Sequence, residues 1–381
     1  MKKHLIPTLT VLLSLMPSAI HAQNDSTATV PAVREPKKIF FSYDSDYSTI
    51  LDNREYDRTD LDYSRTIFGA GIEGGVGLGL RTGKGTHRLM AGVSALFEFG
   101  GNITVRPLIW YQMNMPLRHS YFQILGGVFS RKKVKGFYPG MLYSGSNMVY
   151  DRFFEGFQFS WTGRNFYYEL GIDWMGQLRS SSPDTREQFT IYASGRHTIL
   201  PGHPLRIGYA GYIRHYACNY SGTAPNVVDN ILFYPYIEDD FGRYARMQRI
   251  LVRLGYVQAL QRDRAVTDKF LTPGKGHVYL ELRQWNVGIV NDFLFGGDIE
   301  PYFASTGPDG KVYGGSLYFG DPLMCRNADG RDFGLYDKVG IYWEPRLLDK
   351  LILRLQVNCH FNDAGFAGWQ QIISLCFNFG N

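Results

Sequence analysis

The chain alternates apolar and polar residues along most of its length. In NFYYELGIDWMG, residues 165–176, Phe166 and Trp174 share one parity, while Glu169 and Asp173 share the other. Because successive side chains of a β-strand point to opposite faces, this stretch is predicted to be a strand with an aromatic face and an acidic face. A soluble sandwich would bury the aromatic face, whereas a membrane barrel would turn that face to lipid and the acidic face to a watery lumen.

The same alternation recurs along the chain and predicts about sixteen strands. Without the two runs on either side of the turn at 308–310 the number is fourteen, so both counts are even. The fold class is therefore predicted to be all-β, a single antiparallel transmembrane β-barrel of about 14–16 strands. The predicted strands are 38–47, 65–80, 88–100, 103–115, 119–131, 151–162, 165–177, 186–199, 204–217, 244–258, 276–291, 298–306, 311–320, 332–344, 350–362 and 367–380.

The connections between these strands are either short turns or long loops, and the two kinds fall mostly on opposite ends of the predicted barrel. Outer-membrane barrels have short periplasmic turns and long outer loops, whereas a soluble sandwich has no reason to sort its connections. Two stretches break the rule: 261–276 is long for the short-turn side, and 99–102 is tight for the long-loop side. The short connections are 163–165, 200–204, 307–311 and 345–350, and the long ones are 48–64, 132–150 and 218–243.

The two ends of the chain indicate export to the outer membrane. Residues 1–22 have a basic start, an apolar run and a small-residue end at Ala22, as a secretory signal peptide has. Residues 23–37 are polar and are predicted to be a flexible leader. The barrel is predicted to cover 38–381. Its last strand carries Phe379 near the end, and terminal aromatics are typical of chains that the barrel-assembly machinery inserts.

Composition supports this class and excludes others. Aromatic residues make up 15% of the chain, yet hydrophobic residues total only 44%, as expected when every strand has a polar half. No stretch after residue 22 approaches the 18 apolar residues that indicate a spanning helix. The net charge of +5 is small for this length, and no basic run suggests nucleic acid as a partner.

Several segments resemble uncharacterised outer-membrane β-barrel proteins of Bacteroidota, which are porin-like. The resemblance runs from about residue 40 to the end of the chain and implies a barrel and an outer-membrane location. It implies no catalytic residue and no known substrate. The segments that carry it are ILDNREYD (50–57), HRLMAGVSALFEFGG (87–101), FSRKKVKGFYPGMLY (129–143) and FEGFQFSW (154–161).

Charged residues fall mainly on the parity that is predicted to face the lumen. The basic set could form a ladder that favours anionic or sugar-like solutes. Alternatively, opposite charges could pair across the lumen and fill a closed interior. The basic patch consists of Arg206, Arg214, Arg249, Arg253, Arg283 and Arg354, and the acidic set consists of Glu169, Asp173, Glu281 and Glu344.

The sequence offers little catalytic chemistry. Outer-membrane acyl hydrolases place His, Ser and an orienting polar group on the lipid face, and His215 and His197 do fall on that parity. Neither has a Ser two residues away, so we expect a protein that is not an enzyme, and a lipid-modifying outer-membrane enzyme is the least favoured alternative. The spacing of His and Cys suggests no metal or other cofactor. Cys218 and Cys325 both fall near strand tops or long loops, and whether they form a disulfide is left open.

Two functions therefore remain open. The barrel could be a porin-like channel for small polar or anionic solutes, because fourteen or more strands leave room for water. It could instead be a non-conducting barrel whose loops bind polysaccharide or a protein partner. If the lumen conducts, Arg249 and Arg253 should make it prefer chloride over potassium at low salt, where charges are least screened.

Overall fold

The computed structural model describes residues 38–57, 60–200 and 202–380, so the predicted signal peptide and leader lie outside the described residues. The fold is one antiparallel sheet that closes on itself, because the first strand pairs with both the second and the last. The strands are β1 (Lys38–Tyr56), β2 (Arg65–Thr82), β3 (Gly85–Glu98), β4 (Ile103–Pro116), β5 (Ser120–Ser130), β6 (Phe153–Gly163), β7 (Phe166–Gly176), β8 (Arg186–Thr198), β9 (Arg206–Asn219), β10 (Val228–Asp240), β11 (Arg249–Asp263), β12 (Gly274–Gln284), β13 (Val287–Gly296), β14 (Gly334–Trp343), β15 (Arg346–Leu348), β16 (Leu351–Asn362) and β17 (Gly365–Gly380).

The predicted barrel is confirmed. The sheet has 17 strands, of which β15 is a three-residue piece in a turn, so the wall is a closed barrel of 16 strands in the outer membrane. Four short helices lie in the connections, and none of the described helices could cross a membrane by length and apolarity. They are α1 (Gly145–Tyr150), α2 (Gly242–Ala245), α3 (Gly314–Leu317) and α4 (Pro322–Cys325).

The faces of the strands follow the predicted parities. Phe157, on the outer face of β6, is 57% exposed, and its neighbour Gln158 is 2% exposed in the lumen. On β7 the Trp174 side chain stacks on Phe189 across the outer wall, while Glu169 is buried inside. Apolar side chains thus meet lipid and the polar set points inward, as alternation requires in a membrane barrel.

The number of strands was predicted correctly, but two strands were missed. β10 was read as part of a long loop, because Pro235 interrupts its alternation. A proline has no N–H to donate, and the ladder between β10 and β11 skips this point. β12 and β13 were merged into one strand, since the turn between them is Trp285–Asn286, where both residues have positive φ (50° and 63°) although neither is glycine.

Two predicted strands, 298–306 and 311–320, do not exist in the wall. Both lie in the connection between β13 and β14, residues 297–333, which contains α3 and α4. Because β10 was missed, the prediction also placed 261–276 on the wrong end. The connection from 264 to 273 joins β11 to β12 on the same end as the other long loops, so this exception disappears.

The connection 297–333, here called the plug loop, folds into the lumen. Phe319, Leu323 and Met324 are buried against inward side chains of the wall such as Tyr212 and Tyr234. Inward polar groups bind its backbone: Nδ2 of Asn230 donates to O of Leu317 at 2.8 Å, and Nζ of Lys275 donates to O of Met324 at 3.1 Å. The plug loop fills the lumen beside β8–β13. Its apolar residues therefore belong to an interior and not to membrane strands.

A second connection, residues 131–152, also turns inward. Its first part, 131–135, is here called the strap, and its end is α1. Val149 of α1 is buried against Ile67 and Leu96, which places α1 against the inner face of β2 and β3 near their outer ends. The two inward loops are joined, because the backbone N–H of Ser144 and Nδ2 of Asn147 both donate to O of Phe319, each at 2.7 Å.

Candidate functional site

The part of the lumen that the plug loop leaves free is a chamber of about 740 Å³. Its walls are inward-facing residues of β1, β2, β4–β7 and β17, and the strap and α1 border it at the outer end. Gln112, Tyr121, Thr162 and Asn378 lie near the periplasmic ends of their strands and mark its lower part. The chamber thus lies inside the membrane wall below the strap.

Most of the strap is held to the wall by ion pairs. Lys132 pairs with Asp46, and Lys133 pairs with Asp44, both on the inner face of β1. Arg131, at the start of the strap, contacts Asp173 at 2.5 Å and Asp151 at 2.7 Å. The buried side chain of Arg152 is 2.7 Å from Glu73. These pairs bridge the lumen from β1 and β2 to β6 and β7.

The predicted acidic residues Glu169 and Asp173 both bind this region. Glu169 accepts hydrogen bonds from the hydroxyl of Tyr138, from Nε2 of Gln158 and from the backbone N–H of Lys135, at 2.8, 2.8 and 3.0 Å. Asp173 accepts from Arg131 and from the backbone N–H of Glu155. Their role is therefore to fix the loop 131–152 against β7.

The predicted basic residues are distributed around the far side of the lumen. Arg206 and Arg253 both bind Glu238, at 3.1 and 2.7 Å. Glu238 was missed because it lies on β10, which was read as a loop, although its parity within ILFYPYIEDD was the available signal. The remaining contacts are Arg249 with Glu281 at 3.3 Å, Arg283 and Arg354 with Glu344 at 3.2 and 2.7 Å, and Arg214 with O of Ser316 at 2.7 Å.

The lipid-facing wall carries a polar cluster near the outer ends of β9, β10 and β11. His215 stacks on Phe189 with ring centroids 4.8 Å apart, and Asp229 is its direct partner in the β9–β10 ladder. Asp229 also accepts from Arg262 and Arg264, each at 2.7 Å. The cluster lies within a few residues of the outer ends of these three strands. His197 lies instead at the periplasmic end of β8.

The four cysteines are all free, so Cys218 and Cys325 are not joined in the structure. Cys325 is buried in the plug loop, whereas Cys376 is exposed and lines the chamber. Cys359 is the ladder partner of Trp369 on the lipid-facing side of β16 and β17. Among the residues that the structure describes, no group of three or more His, Cys, Asp or Glu could hold a metal ion.

One solved structure confirms the fold, and others are similar. A loop deletion mutant of OmpT, an outer membrane protein of Vibrio cholerae, is similar with a TM-score of 0.54 at 12% identity, over 91% of this chain and 100% of that chain. OprD of Pseudomonas aeruginosa is also similar, with a TM-score of 0.46 at 12% identity, over 90% of this chain and 93% of that one. At these identities the likeness concerns the fold alone. No curated protein matches the chain.

A family described as Lipid A 3'-O-deacylase-type matches residues 38–230. The match covers β1–β9 and the first residues of β10, which is half of the chain, and it includes both His215 and Asp229. The family's name points to an enzyme, so the expectation that the protein is not an enzyme is wrong. The chain belongs to the Lipid A 3'-O-deacylase-type family.

Proposed function

We propose that the protein hydrolyses acyl esters of lipids in the outer leaflet of the outer membrane, at the lipid-facing cluster around His215. The observation that carries this proposal is the placement of His215 opposite Asp229 on the outer wall, within the segment that matches the family. An imidazole acts as a general base when a carboxylate orients it and supports its protonated form. A substrate in the bilayer reaches this face without entering the lumen.

The side chains around His215 indicate whether the nucleophile is a protein group or a water molecule. The ladder partners of His215 are Phe189 and Asp229, and the next outward position on β9 is Ala217. None of these side chains has a hydroxyl group, so the nucleophile would be a water molecule. His215 would take a proton from the water molecule while the oxygen of that water adds to the ester carbonyl carbon. The acyl–oxygen bond then breaks, and the proton passes to the leaving alcohol. Arg262 and Arg264 lie where they could bind a negatively charged headgroup.

The test is release of fatty acid from lipid A in vesicles that contain the purified protein, measured by mass spectrometry. Loss of a general base typically costs about 10²- to 10⁴-fold in rate, so the substitution His215→Asn should reduce release by at least about 100-fold. The matched control is His197→Asn, because His197 also faces lipid but lies at the periplasmic end. Absence of release from the unaltered, folded protein would refute the proposal.

A second function, a porin-like channel for small polar or anionic solutes, is favoured by the chamber of about 740 Å³ and its polar walls. Barrels of sixteen strands can hold an aqueous path, and charges beside it select ions. Single-channel recording in a planar bilayer tests it. We expect conductance with a preference for chloride at low salt. Replacing Arg249 and Arg253 with Gln should reduce this preference, because it leaves Glu281 and Glu238 of the lumen without these partners. A folded barrel without conductance would exclude this function and leave the first untouched.

A further inference from the structure

We propose that the chamber is a binding site for a sugar acid, a small molecule with several hydroxyl groups and one carboxylate, which pairs with the ammonium group of Lys135. The inference goes beyond both functions proposed above, because binding in the chamber requires neither hydrolysis at the outer wall nor conduction. It rests on the charges, the polar groups and the shape of the chamber walls.

One of the cationic side chains of the chamber has no carboxylate beside it. Five cationic side chains line it, and four of them have carboxylate partners: Arg131 with Asp151 and Asp173, Lys132 with Asp46, Lys133 with Asp44, and Arg152 with Glu73. Among the described residues, the ammonium group of Lys135 has no carboxylate within ion-pair distance. These charges sum to zero because Arg131 has two carboxylates, but the ammonium group of Lys135 is a local positive charge at the chamber wall, which favours contact with the carboxylate of a ligand.

The position of Lys135 is fixed by the neighbouring backbone. Its N–H donates to Glu169, and the next residue, Gly136, lies so close to Glu169 that an added Cβ would be 2.1 Å from Oε1. A glycine is therefore required directly after the strap. Because its backbone is held by β7 while its side chain is exposed inside the chamber, Lys135 presents its charge to any molecule that enters.

The remaining walls have the chemistry that binds hydroxyl groups. Gln112 and Gln123 both donate through Nε2 to Oδ1 of Asn114, at 3.0 and 2.9 Å, which leaves their carbonyl oxygens as acceptors. Tyr121 is 37% exposed and can lie against the apolar face of a sugar ring. A chamber of about 740 Å³ has the size of small-molecule sites, which range from about 300 to 1,000 Å³.

The native thiol of Cys376 can report on this site, because it is exposed and lines the chamber. Replacing Cys218 and Cys359 with Ser leaves it as the reactive thiol, since Cys325 is fully buried. The first measurement compares the labelling rates of an anionic and a cationic methanethiosulfonate, each divided by its rate with a free thiol in solution. The second measures how millimolar glucuronate, glucose or inorganic phosphate slows the labelling.

We expect the anionic reagent to react faster than the cationic one by on the order of tenfold at low salt, and salt should reduce this ratio. Glucuronate should slow labelling several-fold, while glucose and phosphate should not. The substitution Lys135→Gln should remove both effects. Lys84→Gln, which removes the same charge from an exposed turn between β2 and β3, should preserve them. Heat-modifiable migration on a gel checks that each variant is folded.

Three results would overturn the inference. A faster reaction with the cationic reagent would mean that the carboxylates of Asp44, Asp46 and Glu73 make the electrostatic potential at Cys376 negative. Equal protection by glucose and glucuronate would mean that the charge plays no part. Equal protection by phosphate and glucuronate would mean that the site binds anions without recognising a sugar. Because the readout is labelling of a thiol, none of these results depends on activity or conductance.

Discussion

Glu300, in the plug loop, has an unusual environment for a carboxyl group. Its side chain is 1% exposed and lies beside Asp298 and Cys325. Burial, together with the negative charge of Asp298, raises the pKa of Glu300 from 4.5 to about 8. When the plug loop opens to water, the pKa returns to its usual value. Between these two values the closed loop retains a proton that the open loop has lost, so closure weakens as pH rises.

The labelling rate of Cys325 measures this opening, because the buried thiol reacts only when the plug loop leaves the wall. We expect the ratio of open to closed loops to rise by up to about tenfold per pH unit between about 4.5 and 8, and to level off outside that window. The substitution Glu300→Gln should remove this pH dependence. Dividing the rate of the unaltered protein by that of the variant at each pH cancels the ionisation of the thiol itself.

The matched control is Asp332→Asn, which removes an exposed carboxylate from the same loop. This variant should keep the pH dependence of the unaltered protein. If the labelling rate of the unaltered protein divided by that of Glu300→Gln stays constant between pH 5 and pH 8, the carboxyl group of Glu300 does not control closure of the plug loop.

Sequence predicted which side chains face inward, but it did not predict their partners. Arg253 and Glu169 lie on the lumen side as their parity requires, yet their contacts come from residues distant in the chain. Arg253 binds Glu238 of the neighbouring strand, and Glu169 binds Tyr138 of a loop. Parity depends only on the local backbone, whereas partners depend on how loops fold into the lumen. The unpaired charge of Lys135 could therefore be identified only in the structure.

At the scale of elements, alternation predicted the regular strands correctly. It failed where a proline interrupts a strand or where a turn has no glycine. Pro235 concealed β10, and the turn at Trp285–Asn286 has no glycine to mark it. The plug loop caused the opposite error, two false strands. Its residues are apolar because they are buried inside the barrel, and not because they face lipid. The predicted count of sixteen was right because two missed strands and two false strands cancel.

Shortening the plug loop tests its role as an element. Replacing residues 298–333 with a short Gly-Ser linker should leave a heat-modifiable barrel, because the ladder between β13 and β14 does not include them. Single-channel conductance should increase several-fold, since barrels of this size have a wide lumen when no loop fills it. Replacing the exposed loop 177–185 with the same linker is the control and should change conductance little. Equal conductance in both variants would mean that the strap and α1 close the lumen by themselves.

At the scale of the whole molecule, the barrel is closed by the pairing of β1 with β17. The register joins Asp44 to Gly380 at one end and Tyr56 to Gly368 at the other. Sequence predicted a closed barrel from the even number of strands and the sorted loops, and the structure confirms it. The register itself could not be predicted, because it depends on residues more than 300 positions apart.

A disulfide tests that register. Ser48 is the ladder partner of Cys376, and both side chains point inward. The Cα atoms of direct antiparallel partners are about 4.5–5.5 Å apart, which suits a disulfide. The substitution Ser48→Cys should therefore give an oxidised chain that migrates differently on a denaturing gel, and reduction should reverse the change. Thr49→Cys, which faces lipid, should not cross-link. Cross-linking of Thr49→Cys in place of Ser48→Cys would mean that the register is shifted by one residue.

The pairing of β1 with β17 also sets the order of events in folding. The last contacts to form join segments separated by almost the entire chain, and contacts of this kind carry the largest loop-closure entropy and slow the reaction. Until they form, β1 and β17 each have an unpaired edge that can pair with another chain. Folding should therefore end with the sealing of these two edges, and this should be its slow step.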